Sequence, residues 1–131
     1  MAKLYFKYGA MGSSKTATAL ITKYNYEERG MKVWLIKPSA DSRDGQFTLK
    51  SRIGLSSECE AIGPETDIRT LYHARQKVDV IIVDECQFMT MAQIDQLREL
   101  VDRVLRGEIP DAKTQAAALR VWCMLQEGKL S

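Results

Sequence analysis

The sequence predicts an α/β fold in which a mainly parallel sheet is flanked by helices, and three stretches carry that prediction. Val33-Trp34-Leu35-Ile36 and Val78-Asp79-Val80-Ile81-Ile82-Val83 are short, β-rich apolar runs. Such runs suit strands covered on both faces, as in a parallel sheet, where alternating strands would suit a sheet with one wet face. The third observation is the order of patterns between Leu4 and Ile36: strand, helix, strand within about 35 residues, the length of a βαβ unit.

Taken in order, Leu4 to Tyr8 is a strand of aromatic and apolar residues that runs into a loop bearing Gly9 and Gly12. Ala17, Leu20, Ile21 and Tyr24 then recur at helical spacing. They predict a helix from Lys15 to Arg29, stopped by Gly30. The second strand, Val33 to Ile36, is bounded by Gly30 and Pro38. From Ser39 to Ser57 the chain turns polar and glycine-bearing, which predicts mostly loop with a brief strand at Phe47 to Leu49. Cys59 to Ile62 reads as a short strand ended by Gly63-Pro64, and Thr66 or Asp67 as the cap of a helix reaching Gln76 with Ile68 and Leu71 inward. Val78 to Val83 is the strongest strand pattern and ends abruptly in Asp84-Glu85-Cys86-Gln87. Thr90 to Arg106 is an amphipathic helix, with Ile94, Leu97, Val101, Val104 and Leu105 on one stripe. After Ile109-Pro110 the character changes: Asp111 to Ala118 favours helix, and Leu119 to Leu125 fits helix and strand equally well.

Composition narrows the classes of function. A chain of 131 residues suits one domain with a substantial core. A net charge of +2 without a basic run gives no pull toward nucleic acid or an anionic membrane. No apolar stretch approaches the ~20 residues that span a bilayer, and Lys3 and Lys7 interrupt any signal-peptide layout. Cys59, Cys86 and Cys123 form no Cys-x-x-Cys pair, so neither a zinc site nor a disulfide framework is indicated. The expected compartment is the reducing cytoplasm.

Two constellations carry chemistry. Gly9-Ala10-Met11-Gly12-Ser13-Ser14-Lys15-Thr16 follows a strand and opens a helix, the layout in which backbone N–H groups and a helix N-terminus face phosphate. Gly9, Lys15 and Thr16 match the phosphate-loop pattern G-x-x-x-x-G-K-[S/T], and Ser14 stands where the pattern has its second glycine. The other constellation is Asp84-Glu85 at the end of the most apolar strand. An acidic residue there is placed to hold Mg²⁺ near the phosphates of a nucleotide, together with the Thr16 hydroxyl. Lys15 would neutralise charge on a transferring phosphoryl group, and Glu85 would accept the proton of the attacking oxygen. Asp41 and Arg43, near the end of the second strand, are candidates for phosphate or metal support. Cys86 reads as a small buried residue and His73 as a surface one.

These residues resemble a known family, the thymidine kinases of the bacterial and animal cytosolic type. The resemblance rests on Leu4-Tyr5-Phe6 running into Gly9-Ala10-Met11, on Tyr24 to Val33 (YNYEERGMKV), on Ser51-Arg52-Ile53-Gly54-Leu55-Ser56, and on Val83-Asp84-Glu85-Cys86-Gln87-Phe88 followed by a helix with Gln93 and Leu97. It spans Ala2 to Asp102. It implies a phosphate-loop NTPase fold related to RecA-like ATPases, and transfer of the γ-phosphoryl group of ATP to the 5′-hydroxyl of thymidine with Mg²⁺, in DNA-precursor salvage. It further implies that Gly9 to Thr16 and Asp84 to Gln87 bind ATP, that Thr16 and Asp84 serve the metal, that Glu85 is the general base, and that homo-oligomers form. Residues 1–110 are then expected to be an ATP-binding kinase domain, incomplete relative to the family. Residues 111–131 are expected to be a divergent segment without domain status. The family's zinc ribbon and thymidine-wrapping loop have no counterpart in Asp111 to Ser131, so a truncated or frame-shifted product is expected. The competing expectation is a nucleotide-binding module without kinase activity.

Overall fold

The computed structural model describes residues 3–9, 14–39, 45–51, 54–75, 78–106 and 119–126. Strand β1 (Lys3–Gly9) leads to helix α1 (Ser14–Glu28) and strand β2 (Val33–Pro38). Strands β3 (Gly45–Lys50) and β4 (Ser56–Ile62) follow, then helix α2 (Ile68–Ala74) and strand β5 (Val80–Val83). A short 3₁₀ turn (Cys86–Phe88), helix α3 (Met91–Leu105) and strand β6 (Arg120–Gln126) complete the described elements. Among the described residues six strands form one sheet in the order β1-β6-β5-β2-β4-β3. Every neighbouring pair is parallel except β3 with β4. The expected α/β architecture, a mainly parallel sheet flanked by helices, is the one observed.

The layers follow from the period-2 alternation of strand side chains. On one face, Trp34, Ile36, Ile81, Val83, Val121 and Cys123 pack with Ile68 of α2 and with Leu97, Leu100, Val101 and Val104 of α3. On the other, Leu35, Val80, Ile82 and Met124 pack with Ala19, Leu20 and Tyr26 of α1. Strand β5 is buried along its whole length, as expected for a strand with helices on both sides.

Local chemistry sets the ends of the elements. Gly30 stops α1 at φ +82°, a left-handed conformation that glycine adopts without a Cβ penalty, and Met31 donates back to the Tyr26 carbonyl at 3.2 Å. Asp67 caps α2 by accepting from the Arg69 N–H at 2.8 Å, and the Arg69 guanidinium bridges onward to Glu99 of α3 at 2.8 Å. Thr90 and Gln93 form a reciprocal capping box at the start of α3.

Three expectations change in detail. The stretch 39–57, read as mostly loop, contains the full strand β3, which sits at the sheet edge and pairs only with β4. An edge strand needs only one apolar contact face, here Leu49, so its polar sequence conceals it. Strand β5 begins at Val80 and not at Val78, because the Asp79 carboxylate accepts from the Lys32 N–H at 2.9 Å and turns the chain there. Leu119 to Leu125, equally compatible with helix and strand, contains a strand. It lies between β1 and β5, where neighbours on both sides offer a complete hydrogen-bond ladder. The predicted helix at Asp111 to Ala118 lies outside the described residues. No helix among the described residues is long and apolar enough to cross a membrane.

Trp122 ties β6 to its surroundings: its ring stacks on Tyr5 of β1 at 4.3 Å between centroids, and its indole N–H donates to the Tyr26 hydroxyl of α1 at 3.0 Å. Trp122→Ala is expected to lower the unfolding free energy by about 3 kcal/mol, measured by urea denaturation. Asp67→Ala is expected to cost about 1 kcal/mol at neutral pH. The Arg69 side chain, through its hydrogen bonds and charge, holds the Asp67 carboxyl down at about 2. A depressed native pKa stabilises fully above the unfolded value and ceases to do so as pH falls through the native one. The gap between parent and variant should therefore close between about pH 5 and about pH 2.

Candidate active site

Parallel strands joined by crossover helices present their carboxyl ends along one edge, and ligand sites of open α/β sheets form there. At this edge β1 ends at Gly9, β2 at Pro38, β4 at Ile62 and β5 at Val83. The two sequence constellations meet at the same place. The Thr16 hydroxyl, in the first turn of α1, donates to Asp84 Oδ2 at 3.1 Å across 68 positions of sequence. Gly9 closes β1, and Ser14 and Lys15 open α1. Ala10, Met11, Gly12 and Ser13 lie outside the described residues, as do Asp41 and Arg43.

Asp84 is the anchor of the site. It is fully buried, its backbone N–H donates to the Ile36 carbonyl at 2.9 Å, and its Oδ1 accepts the Glu85 N–H at 3.1 Å. Burial pushes its carboxyl above the ordinary aspartate value, against the pull of the Thr16 hydrogen bond and the Lys37 charge. Glu85 then takes a left-handed backbone conformation, φ 54° and ψ 48°, unusual for a residue with a Cβ. Strain of this kind concentrates at functional sites. The turn continues through Cys86, buried as predicted, and is closed by the Phe88 N–H donating to the Glu85 carbonyl at 3.1 Å.

Several side chains here have little or no signal in the sequence alone. Lys37 Nζ pairs with Glu85 Oε2 at 2.8 Å. Burial lowers the Lys37 pKa, but the hydrogen bond and charge of Glu85 and the charge of Asp84 outweigh it, and the net shift is upward. Gln93 is almost wholly buried (1% exposed), and its amide donates to the carbonyls of Gly63 at 2.8 Å and Thr66 at 3.1 Å. It thereby ties α3 to the loop after β4. Pro38, Ser39, Pro64, Glu85, Phe88 and Gln93 line a cavity of about 370 Å³, within the size range of small-molecule sites. Phe88, 57% exposed, stands at this cavity. An isolated lysine after a strand or a phenylalanine in a turn gives no pattern to find. The glutamine was legible only as part of the helix that carries the family resemblance.

Asp84 and Thr16 offer oxygen donors of the kind a hard cation takes. Among the described residues no group of three or more His, Cys, Asp or Glu side chains could hold a metal. The Asp84 carboxylate and the Thr16 hydroxyl, 3.1 Å apart, are the oxygens here that could share a cation. The oxygen donors fit Mg²⁺, which keeps several waters and shares substrate phosphate oxygens in place of an all-protein cage.

Comparison with known proteins identifies the family. The sequence model of thymidine kinase matches residues 2–107. The chain belongs to the thymidine kinase family. It is 38% identical over 107 residues to the thymidine kinase of Photobacterium profundum, covering 79% of this chain and 56% of that protein. It is 41% identical over 105 residues to the thymidine kinase of Enterobacteria phage T4, covering 78% and 54%. For that of Xanthomonas campestris pv. campestris (strain 8004) the identity is 41% over 108 residues, covering 79% and 52%. The chain thus spans about half the length of the curated relatives it matches. Strand β6 lies beyond the matched stretch.

In this thymidine kinase family member the burial of Asp84 works against stability. A raised native pKa means that folding disfavours the ionised form, so stability is lost as pH rises through the native value. Asp84→Asn keeps the shape and removes the charge. It is expected to raise the thermal midpoint at pH 7, with the gain shrinking in acid where the parent carboxyl is itself protonated. A lower midpoint at pH 7 would refute this account of the site.

Proposed function

We propose that the protein transfers the γ-phosphoryl group of ATP to the 5′-hydroxyl of thymidine, forming thymidine monophosphate. The observation that carries this reading is the 3.1 Å hydrogen bond from Thr16 to Asp84, which puts the start of α1 against the end of β5 with Glu85 next in line. The succession of β1 and α1, with Gly9 ending the strand and Ser14 opening the helix at the carboxyl edge of a parallel sheet, supports a phosphate-loop NTPase fold of RecA-like type. Membership in the thymidine kinase family and the names of its relatives support the substrate pair.

In this reading residues Gly9 to Thr16 cradle the phosphates, with Lys15 offsetting their charge, and Asp84 to Gln87 face the nucleotide. Asp41 and Arg43 assist the phosphates or the metal. Thr16 and Asp84 would hold Mg²⁺, which when bound neutralises charge on the phosphates. The nucleoside occupies the cavity lined by Pro38, Pro64 and Phe88, and its 5′-hydroxyl meets Glu85. Glu85 takes the hydroxyl proton as the oxygen attacks phosphorus, and the bond to the β-phosphate oxygen breaks. Catalysis of this kind is positioning and charge stabilisation more than covalent chemistry.

The wider reading is a cytoplasmic salvage enzyme that works as a homo-oligomer and engages neither membrane nor nucleic acid. Buried, free Cys59, Cys86 and Cys123 accord with a reducing compartment. Residues 1–110 form the kinase domain, and the position of β6 inside the sheet supports reading 111–131 as part of the same folding unit. The alternative, a module that binds the nucleotide without transferring phosphate, draws on the half-length overlap with the relatives.

Purified protein with Mg-ATP and thymidine, scored for thymidine monophosphate by chromatography, tests the reading. Lys15→Ala is expected to lose ATP binding or turnover. Glu85→Gln is expected to retain ATP binding and lose at least ~100-fold in kcat, the scale of general-base catalysis. ATP binding by a folded parent without product would favour the binding module.

A further inference from the structure

Glu85 is held by more than its backbone. Its carboxylate Oε2 lies 2.8 Å from Lys37 Nζ, and both side chains are about 30% exposed. This is a partly desolvated pair, whereas a freely solvated one would be averaged by water and salt. The two residues sit at adjacent strand ends. Ile36 of β2 is in register with Val83 of β5, and the Ile36 carbonyl accepts the Asp84 N–H at 2.9 Å. The base of the lysine side chain and the turn carrying Glu85 are thus parts of one hydrogen-bonded frame. Pro38 and Ser39, which follow Lys37, line the same cavity as Glu85.

We propose that Lys37 is a positioning residue whose ammonium fixes the Glu85 carboxylate at the mouth of the acceptor cavity. The inference rests on the phosphoryl-transfer reading above and deepens it. A glutamate has three side-chain torsions, and the left-handed backbone at residue 85 fixes only where they begin. Without a partner the carboxylate would sample several rotamers at the cavity mouth. Engaging Oε2 selects one, and Oε1 keeps its lone pairs for the incoming proton. The positive charge does not itself meet the reacting atoms, so Lys37 acts through Glu85. Misplacing a reacting group by about 1 Å can cost ~100-fold in rate, which sets the scale of the expected effect.

The test compares the full-length parent with Lys37→Met, which keeps much of the stem and removes the charge, and with Lys37→Arg, which restores it. With saturating Mg-ATP and thymidine, Lys37→Met is expected to lose about 10- to 100-fold in kcat with its KM for ATP and its thermal midpoint unchanged. Lys37→Arg is expected to recover most of that loss. An unchanged kcat in Lys37→Met would overturn the proposal. So would a raised KM for ATP with kcat intact, since that would make Lys37 a contact of the donor phosphates. A crystal structure of Lys37→Met supplies a readout independent of turnover. Glu85 is expected to lose its single side-chain conformation, and an unmoved, singly ordered Glu85 would overturn the proposal even if the parent makes no product. A parent without product but with Glu85 released in Lys37→Met would count against the kinase reading and leave the positioning role standing.

Discussion

The carboxylate of Asp84 ties the start of α1 to the turn that follows β5. One of its oxygens receives the hydroxyl of Thr16 from the start of α1, and the other receives the backbone N–H of Glu85. Its own N–H is held by β2. With the side chain fully buried, these bonds form away from competing water, where a hydrogen bond to a charged group is strong and an unmade one is costly. The direction of its pKa shift shows the other side of the arrangement. Burial outweighs the favourable contacts, and the ionised group is maintained in the fold at a cost.

The rest of the architecture surrounds that point with ordinary packing. Strand β5, buried on both faces, delivers Asp84 and Glu85 to the sheet edge, and two hydrophobic layers hold it there. The strand that carries the glycine-bearing loop is not its neighbour. Strand β6 lies between β1 and β5 and pairs in parallel with both. Strands β1 and β5 therefore flank β6, each about 4.8 Å from it. Since β6 falls outside the stretch matched to the family, residues beyond residue 107 complete the sheet on which the site is built.

Glu85 carries the one left-handed non-glycine backbone among the described residues, directly after the buried aspartate. The Thr90–Gln93 capping box and the Gln93 amide bonds to the Gly63 and Thr66 carbonyls anchor Gln93, which lines the same cavity as Glu85. A site of this kind sets unfavourable local geometry inside a well-satisfied frame, which keeps the proposed general base from relaxing away from its position.

The sequence by itself determined the elements whose patterns are local and strongly periodic: the buried runs of β2 and β5, the amphipathic stripe of α3, the glycine stop of α1 and the cap of α2. It also paired the glycine-bearing stretch ending in Lys15-Thr16 with the acidic residues at 84–85, and in the fold the Thr16 hydroxyl reaches Asp84. Tertiary structure decided what depends on neighbours distant in the chain. The polar edge strand β3 exists because β4 offers it a ladder, and 120–126 chose strand over helix because an open slot lay between β1 and β5. The pairing of Lys37 with Glu85 and the cavity beside it likewise arise only when β2 and β5 lie side by side. Hydrogen-bond ladders and ion pairs across strands join residues by space, and a pattern read along the chain carries no term for that.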